Sequence, residues 1–355
     1  MTPQTTLPIA RYRLHARVQA PLQLPLYAGS LLRGTFGAAL RQLACMTRAP
    51  TCVGCPLRAT CPYPRIFETP PPPPAANAPA ADAPGSRRPQ QFSALPNAYV
   101  IEPPTPGART LQAGDALEFG IVLIGPALQQ SALVLLALQR ALARGLTAQR
   151  SPCALQAVDW IAPDGSAQRV WCAQSPRLLD HPAQLHWLVN AIESEVARAD
   201  SSSATSQFSL RHLSSGSGSN AGSISLHLHT PLRLQHQGHA LPASKLDART
   251  LLIHLTRRVR LVAQYHAGIT GLDAAAGAAI DAAATLQDDK ALRWMDWTRY
   301  SSRQQQEMTL GGVLGRWTLH GTPDALAQIH PWLWLGQWLH VGKNATMGLG
   351  AYTLS

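Results

Sequence analysis

The chain has 355 residues, 46% of them hydrophobic, which suits two domains of ordinary size with proper cores. No run of about 18 uncharged apolar residues occurs, so the composition excludes a protein that spans a membrane by helices. The N-terminus has no apolar stretch of signal-peptide length before its first arginines, and we therefore expect a cytoplasmic protein.

The formal net charge is +11, and arginine supplies nearly all of the positive charge because the chain has three lysines. The first 68 residues contain eight arginines and a single acid, Glu68. A GC-rich genome would also favour arginine. The uneven distribution nevertheless indicates a polyanionic partner, since guanidinium groups form paired hydrogen bonds to phosphate oxygens.

The first half of the chain has the element order of a ferredoxin-like domain. Residues 11–19 alternate strictly and predict a half-buried strand with a basic outer face. A helix capped by Ser30 is predicted to run to about Cys45. The remaining predicted elements are strands at 98–102, 117–124 and 155–161, a helix at 128–144 and a hairpin turn at Asp164-Gly165. The order β-α-β-β-α-β is typical of the ferredoxin-like fold.

The second half repeats this order. Its predicted elements are a strand at 224–234, a helix at 247–267, strands at 292–298 and 308–319, a helix at 324–339 and a strand at 349–354. We therefore predict an α+β protein of two tandem ferredoxin-like (RRM-like) domains, with a four-cysteine loop inserted in the first.

The domain boundaries follow from composition. Residues 1–165 would form the first domain and residues 223–355 the second. Residues 166–222 would connect them and include a Ser/Gly-rich linker. A Pro-rich segment at 70–91 is of low complexity and is expected to be flexible.

The inserted loop, residues 45–61, has cysteines at the spacing of a metal site. Cys45, Cys52, Cys55 and Cys61 form the pattern C-x6-C-x2-C-x5-C. Four thiolates suit tetrahedral zinc, while an iron–sulfur cluster would use the same ligands and unliganded thiols are the third alternative. We expect a structural zinc ion.

The segment LHVGKNATMGLGAYTL near the C-terminus surrounds Lys343 with Gly342, Gly348 and Gly350. Glycines let a backbone approach a phosphate closely and present N–H donors to it. An ordinary glycine-rich turn would have the same composition. We interpret the segment as a candidate phosphate-binding loop.

Two parts of the sequence resemble a known family. RYSSRQQQEMTLGGVLGRWTLHG, followed by PWLWLGQWLHVGKNATMGLGAYTL, resembles the C-terminal domain of the CRISPR precursor-RNA-processing endoribonucleases of the RAMP superfamily. YAGSLLRGTFGAALRQLAC, followed by CVGCPLRATCPYPRIFE, resembles the first domain of the cysteine-bearing branch. The resemblance covers roughly 225–355 well and 26–68 fairly. It implies that the protein binds CRISPR repeat RNA and cleaves precursor transcripts into guide RNAs, with effector-complex subunits as further candidate partners.

The resemblance also implies a chemistry. In this family the ribose 2′-hydroxyl attacks the adjacent phosphate without a metal and leaves a 2′,3′-cyclic phosphate, so no cofactor is expected for catalysis. The reaction needs a base, an acid and a cation near the phosphate. Family members often take a catalytic His from the first domain near its first helix, but this chain has no His between His15 and His181.

We therefore predict proton-transfer roles for His340, Tyr27 and His15. A solvated or stacked His340 at a helix end, and a partly buried Tyr27, are the structural alternatives. The predicted RNA contacts are Arg33, Arg299, Arg303, Gly342, Lys343, Gly348 and Gly350.

Two other functions stay open at this point. A non-catalytic RAMP subunit that holds guide RNA in an effector complex is favoured by the missing first-domain His. A zinc-stabilised nucleic-acid-binding module unrelated to CRISPR is the third alternative.

Overall fold

The computed structural model describes residues 5–69, 95–187, 222–301 and 306–355. The strands are β1 (Thr5–Leu7), β2 (Ile9–Val18), β3 (Leu22–Leu24), β4 (Tyr99–Glu102), β5 (Arg109–Leu111), β6 (Ala116–Ile124), β7 (Cys153–Ile161), β8 (Ala167–Cys172), β9 (Leu185–Trp187), β10 (Gly222–Leu232), β11 (Gln235–His236), β12 (His239–Ala240), β13 (Gln287–Ser301), β14 (Gln306–Gly321) and β15 (Tyr352–Leu354). The helices are α1 (Gly29–Ala44), α2 (Pro62–Phe67), α3 (Pro126–Gln129), α4 (Ser131–Arg144), α5 (Ala248–Ala267), α6 (Asp273–Ala283) and α7 (Pro323–Leu339).

The first domain is built on an antiparallel sheet of order β4-β6-β2-β7-β8. Strands β2, β4, β6 and β7 with helices α1 and α4 make the β-α-β-β-α-β motif, and β8 extends the sheet. Alternation along β2 puts Tyr12 and Leu14 into one core with these helices. The predicted hairpin turn at Asp164-Gly165 joins β7 to β8, and Gly165 has φ +87° there.

The second domain has a sheet of order β13-β14-β10-β15, again antiparallel. Helices α5 and α7 supply the two crossovers of the motif. Helix α6 was not predicted, and it buries Ala276, Ala279 and Ala283. The predicted tandem ferredoxin-like fold is confirmed.

The structure differs from the sequence expectation in several details. Helix α1 begins at Gly29 after Ala28, which makes no side-chain cap bond, so Ser30 lies inside the first turn. The last strand begins at Tyr352 because Gly348 and Gly350, at positive φ, keep the preceding residues in a turn. Strand β8 belongs to the first sheet although the expected boundary at 165 precedes it. The Pro-rich segment 70–91 and the Ser/Gly-rich linker lie outside the described residues.

The two domains share a continuous hydrophobic core. Ile9, Val122 and Ile124 of the first sheet belong to the same cluster as the helices of the second domain. The indole of Trp187 packs edge-on against Trp332 and donates to the Pro331 carbonyl at 3.0 Å. The second domain therefore covers one end of the sheet face that is turned away from α1 and α4. Among the described helices, none is both long and apolar enough to cross a membrane.

Candidate RNA-processing site

The glycine loop, residues 341–351, is folded into the protein. The Lys343 amide donates to the Arg233 carbonyl at 2.8 Å, the Gly348 amide to Ala345 at 2.8 Å, and the Gly350 amide to Pro231 at 3.0 Å. Gly348 and Gly350 are buried, whereas Lys343 is exposed. These three amides are thus already paired within the protein, and this geometry gives no support to the predicted phosphate-binding role of the loop amides.

Close packing explains the loop glycines instead. Gly348 has φ +94°, and a Cβ there would meet Pro103 and would lie 2.5 Å from the Ile101 carbonyl oxygen. Gly342 has φ +92°, and its Cβ would lie 2.6 Å from the Arg233 carbonyl oxygen. The loop can therefore lie directly against the first domain at the end of β4, where a larger residue would collide.

Tyr27 is held in the contact between this loop and helix α1. Its side chain is buried, its hydroxyl donates to the Met347 carbonyl at 2.8 Å, and its ring packs against Trp297. Burial raises the pKa of Tyr27 well above its ordinary value. The geometry therefore supports a packing role and gives no support to proton transfer by Tyr27.

His340 follows the last turn of α7 and is 1% exposed. Its Nε2 lies 3.4 Å from Oε1 of Glu102, and that oxygen lies 3.1 Å from Nε of Arg11. Arg11, Glu102 and His340 are referred to below as the interdomain cluster. The Arg11 guanidinium also donates to the Gln337 carbonyl and lies over the Trp338 ring. His340 thus connects the two domains and has no open path to an RNA chain.

The cluster contains one charged acid and one neutral base. Burial disfavours the Glu102 carboxylate, but Arg11 and His340 outweigh this effect and hold the pKa of Glu102 below its usual value. Burial lowers the pKa of His340, although Glu102 acts in the opposite direction. The predicted catalytic role of His340 is not supported by its position.

His15 lies at the open end of the first sheet. Its Nδ1 is 2.9 Å from Oε1 of Glu118, and its Nε2 is 2.8 Å from Oδ2 of Asp159. Arg169 forms an ion pair with Asp159. Burial disfavours the Asp159 carboxylate, but Arg169 and His15 outweigh this effect and lower the pKa of Asp159. These four residues are referred to below as the His15 cluster. Of the three predicted proton-transfer residues, His15 is the one that solvent reaches, with 27% of its side chain exposed.

The predicted arginine contacts Arg33 and Arg299 belong to different domains. Arg33 lies 4.5 Å above the centre of the Phe67 ring and is partly buried. Arg299 is part of β13, opposite Met308 of β14. Arg303 lies outside the described residues.

The four cysteines of the inserted loop line one small cavity together with Tyr63. Cys45 Sγ lies 3.8 Å from the Thr47 hydroxyl, which lies 3.7 Å from Cys55 Sγ. The Thr47 hydrogen bond lowers the pKa of the Cys45 thiol, and burial raises that of Cys52. Within the part of the chain that the structure describes, no three donors stand at metal-ligand spacing. Four thiols that line one cavity are chemically suitable zinc donors, and zinc binding stays a prediction.

Sequence reasoning missed Glu102, Glu118, Asp159 and Arg169. Glu102, Glu118 and Asp159 lie in predicted strands, and Arg169 lies beyond the predicted hairpin turn, but the sequence gives no strand register. Their pairing with Arg11 and His15 becomes visible once β4, β6, β2, β7 and β8 are placed side by side.

Comparisons with known proteins agree with this fold. A structure titled as a partial Cas6-RT-Cas1–Cas2 complex has a TM-score of 0.54 at 16% identity, covering 100% of this chain and 47% of that one. The full Cas6-RT-Cas1–Cas2 complex gives the same TM-score and identity, with 29% of its chain covered. A Cas6 (TTHB231) product complex has a TM-score of 0.52 at 15% identity, covering 98% and 99% of the two chains. This chain thus spans less than half the length of the first two relatives.

The sequence comparison separates the two domains. Residues 7–183 match a family model described as an N-terminal domain, and residues 226–352 match the model of the CRISPR-associated endoribonuclease Cas6. No curated protein matches the sequence. The Cas6 match falls on the second ferredoxin-like domain, and the tandem fold accounts for both domains as far as the structure describes them. The second domain therefore matches the family of the CRISPR-associated endoribonuclease Cas6, and the described fold is similar to that of solved Cas6 structures.

Proposed function

We propose that this protein binds CRISPR repeat RNA and cleaves precursor transcripts into guide RNAs without a catalytic metal. The observation that carries the proposal is the match of residues 226–352 to the Cas6 endoribonuclease family, on a domain paired with a second ferredoxin-like domain. The 2′-hydroxyl beside the cleaved bond would attack the phosphorus, and the products would be a 2′,3′-cyclic phosphate and a 5′-hydroxyl end.

A non-catalytic RAMP subunit is the second candidate. The burial of His340 and Tyr27 favours it, because two of the three predicted proton-transfer groups have no access to RNA in this arrangement. Such a subunit would hold guide RNA beside effector-complex proteins, and these proteins would be its partners.

Cleavage of a labelled hairpin repeat RNA in EDTA separates the two candidates. An endoribonuclease gives one discrete product with a cyclic phosphate end, and a 2′-deoxy substitution at the cleaved nucleotide abolishes cleavage without weakening binding. A guide-holding subunit binds the same RNA and leaves it intact. Cleavage that requires added divalent metal would contradict the metal-independent mechanism.

Two variants test the buried residues within the same assay. If His340 and Tyr27 have packing roles, His340→Ala and Tyr27→Phe lower the free energy of unfolding and leave the single-turnover rate of the folded fraction near wild type. If they transfer protons, each variant slows cleavage by about 10²–10⁴-fold. Single-turnover conditions are needed because tight product binding would hide the chemical step.

A further inference from the structure

We propose that the His15 cluster, and not the buried His340, is the proton-transfer site of RNA cleavage. This inference rests on the proposed endoribonuclease function. It assigns the acid to His15, the base to Glu118 and the phosphate contact to Arg13, with Asp159 and Arg169 as positioning residues.

The cluster is assembled from four adjacent strands. Glu118 of β6 is opposite His15 of β2, and Asp159 of β7 is opposite both Arg13 of β2 and Arg169 of β8. Arg13 and His15 alternate along β2 with Tyr12 and Leu14, which are buried in the core under α1 and α4. Arg13, His15 and their cross-strand partners therefore lie on the opposite face of the sheet.

An extended polyanion can reach this part of the face. The second domain covers the end that carries Ile9 and Val122, whereas at the other end 56% of the Glu118 side chain and 53% of the Arg169 side chain are exposed. Asp159 is 12% exposed, so it lies beneath His15 and does not project towards the solvent. The more exposed carboxylate is therefore the one available to a substrate.

The two contacts of the His15 ring define its role. Each ring nitrogen lies within 2.9 Å of a carboxylate oxygen. A neutral imidazole donates from one nitrogen only, so donation to both carboxylates requires the imidazolium form, which is a ready acid. Asp159 would hold the Nε2–H and orient the ring, as a buried carboxylate orients the histidine of a catalytic triad. Glu118 can turn away and leave the Nδ1–H free for a leaving group.

Arg13 supplies the cation. It is exposed, lies two residues before His15 on the same face, and forms no ion pair within the described residues. Its neighbour on β6 is Gly120, and the Glu102 side chain of β4 lies over that glycine. The exposed guanidinium can bind the phosphate oxygens on which negative charge develops during the reaction.

The reaction balances with these groups alone. The Glu118 carboxylate takes the proton of the 2′-hydroxyl as the 2′-oxygen bonds to phosphorus. The bond from phosphorus to the 5′-oxygen breaks, and that oxygen takes the Nδ1 proton of His15. The products are the cyclic phosphate and the 5′-hydroxyl, and exchange with water returns the proton from Glu118 to His15.

The test is single-turnover cleavage of the hairpin repeat RNA in EDTA by His15→Ala and Glu118→Gln. Each variant should be slower by about 10²–10⁴-fold with unchanged RNA affinity, and added imidazole should restore part of the His15→Ala rate. His227→Ala is the matched control, because His227 lies on the open face of the second sheet and contacts the Ser355 hydroxyl. It should cleave at the wild-type rate.

A modified substrate assigns the acid. An RNA whose leaving 5′-oxygen is replaced by sulfur needs no protonation of the leaving group, so His15→Ala should cleave it as fast as wild type while Glu118→Gln stays slow. If His15→Ala does not fold, the cleavage rate of Glu118→Gln, which keeps the side-chain shape, decides whether the His15 cluster is the proton-transfer site. Wild-type rates in both variants, with active wild-type protein, would overturn the site and leave the proposed function standing. An inactive wild-type protein would overturn both.

Discussion

Nε2 of His340 lies 3.4 Å from Oε1 of Glu102, and this contact joins the end of helix α7 in the second domain to strand β4 in the first. Arg11 completes the contact from β2 through its ion pair with Glu102. These polar side chains add to the hydrogen bonds that Tyr27 and Trp187 donate to carbonyls of the second domain. The three side chains therefore contribute a polar contact to the interface between the domains.

The first prediction is a loss of stability in acid. The pKa of His340 in the folded protein lies below its ordinary value of 6.5. The contribution of His340 to the free energy of unfolding is therefore complete above about pH 6.5 and is lost as the pH falls towards the folded-state pKa. The pKa of Glu102 lies below 4.5, so its contribution is lost at still lower pH. Chemical denaturation across this pH range should show the free energy of unfolding falling in that order.

A variant comparison isolates His340 from the other histidines with lowered pKa values. His340→Gln should make the dependence of unfolding free energy on pH shallower by up to about 1.4 kcal/mol per pH unit below pH 6.5. The exposed His239 provides the control, and His239→Gln should keep the wild-type slope. Equal slopes in all three proteins would show that His340 is not protonated upon unfolding.

The second prediction concerns the glycine loop. Gly348→Ala places a methyl group against Pro103 and the Ile101 carbonyl at positive φ, whereas Gly268→Ala has the same backbone strain at φ +69° with open space around the new methyl group. We expect about 1 kcal/mol of destabilisation for Gly268→Ala and about 1–3 kcal/mol more for Gly348→Ala because of overpacking. Urea denaturation measures both, and equal losses would contradict the close contact between the loop and β4.

The third prediction is one tightly bound zinc ion per chain. Cys45 lies just after α1 and Cys61 just before α2, so a shared metal would fasten the loop to both helices. Cys55→Ser should lose the metal and lower the melting temperature of the protein, while Cys172→Ser, which lies in β8 outside the cavity, should keep it. Elemental analysis that finds neither zinc nor iron in the wild-type protein would refute the site.

The fourth prediction is salt-sensitive RNA binding. The logarithm of the association constant should fall linearly with the logarithm of salt concentration, by about 0.7 for each phosphate neutralised on a single strand. Arg13→Ala should reduce the magnitude of that slope by about 0.7, the value for one phosphate contact. The exposed Arg144 at the end of α4 lies on the helix side of the same domain, and Arg144→Ala should not change the slope. A slope near zero for the wild type would exclude phosphate neutralisation as the source of affinity.

The sequence was a good guide to the fold because both domains carry regular alternation in their strands and apolar faces on their crossover helices. Helix α6 was missed because its alanine-rich sequence has little polar contrast between its faces. The hairpin of β13 and β14 is longer than the strands predicted at 292–298 and 308–319. Its strands continue beyond the apolar positions on which that prediction was based.

The site was harder to read from the sequence. The residues next to His340 in the sequence do not indicate whether it is solvated at a helix end or buried by the other domain. The carboxylate that contacts it belongs to Glu102, which is 238 residues away in the sequence. The same holds for His15, whose partners come from β6 and β7 and depend on strand register. The glycine-rich loop is visible in the sequence. Whether its amides are free to bind phosphate is not, because the hydrogen bonds of the Gly348 and Gly350 amides depend on the folded structure.

The most direct test of the central claim is single-turnover cleavage of labelled CRISPR hairpin repeat RNA by the wild-type protein in EDTA. We expect one discrete cut that leaves a 2′,3′-cyclic phosphate, and no cut in the matching RNA with a 2′-deoxy nucleotide at that position. Tight binding of the unmodified RNA without any cleavage would contradict the claim and identify the protein as a guide-holding subunit.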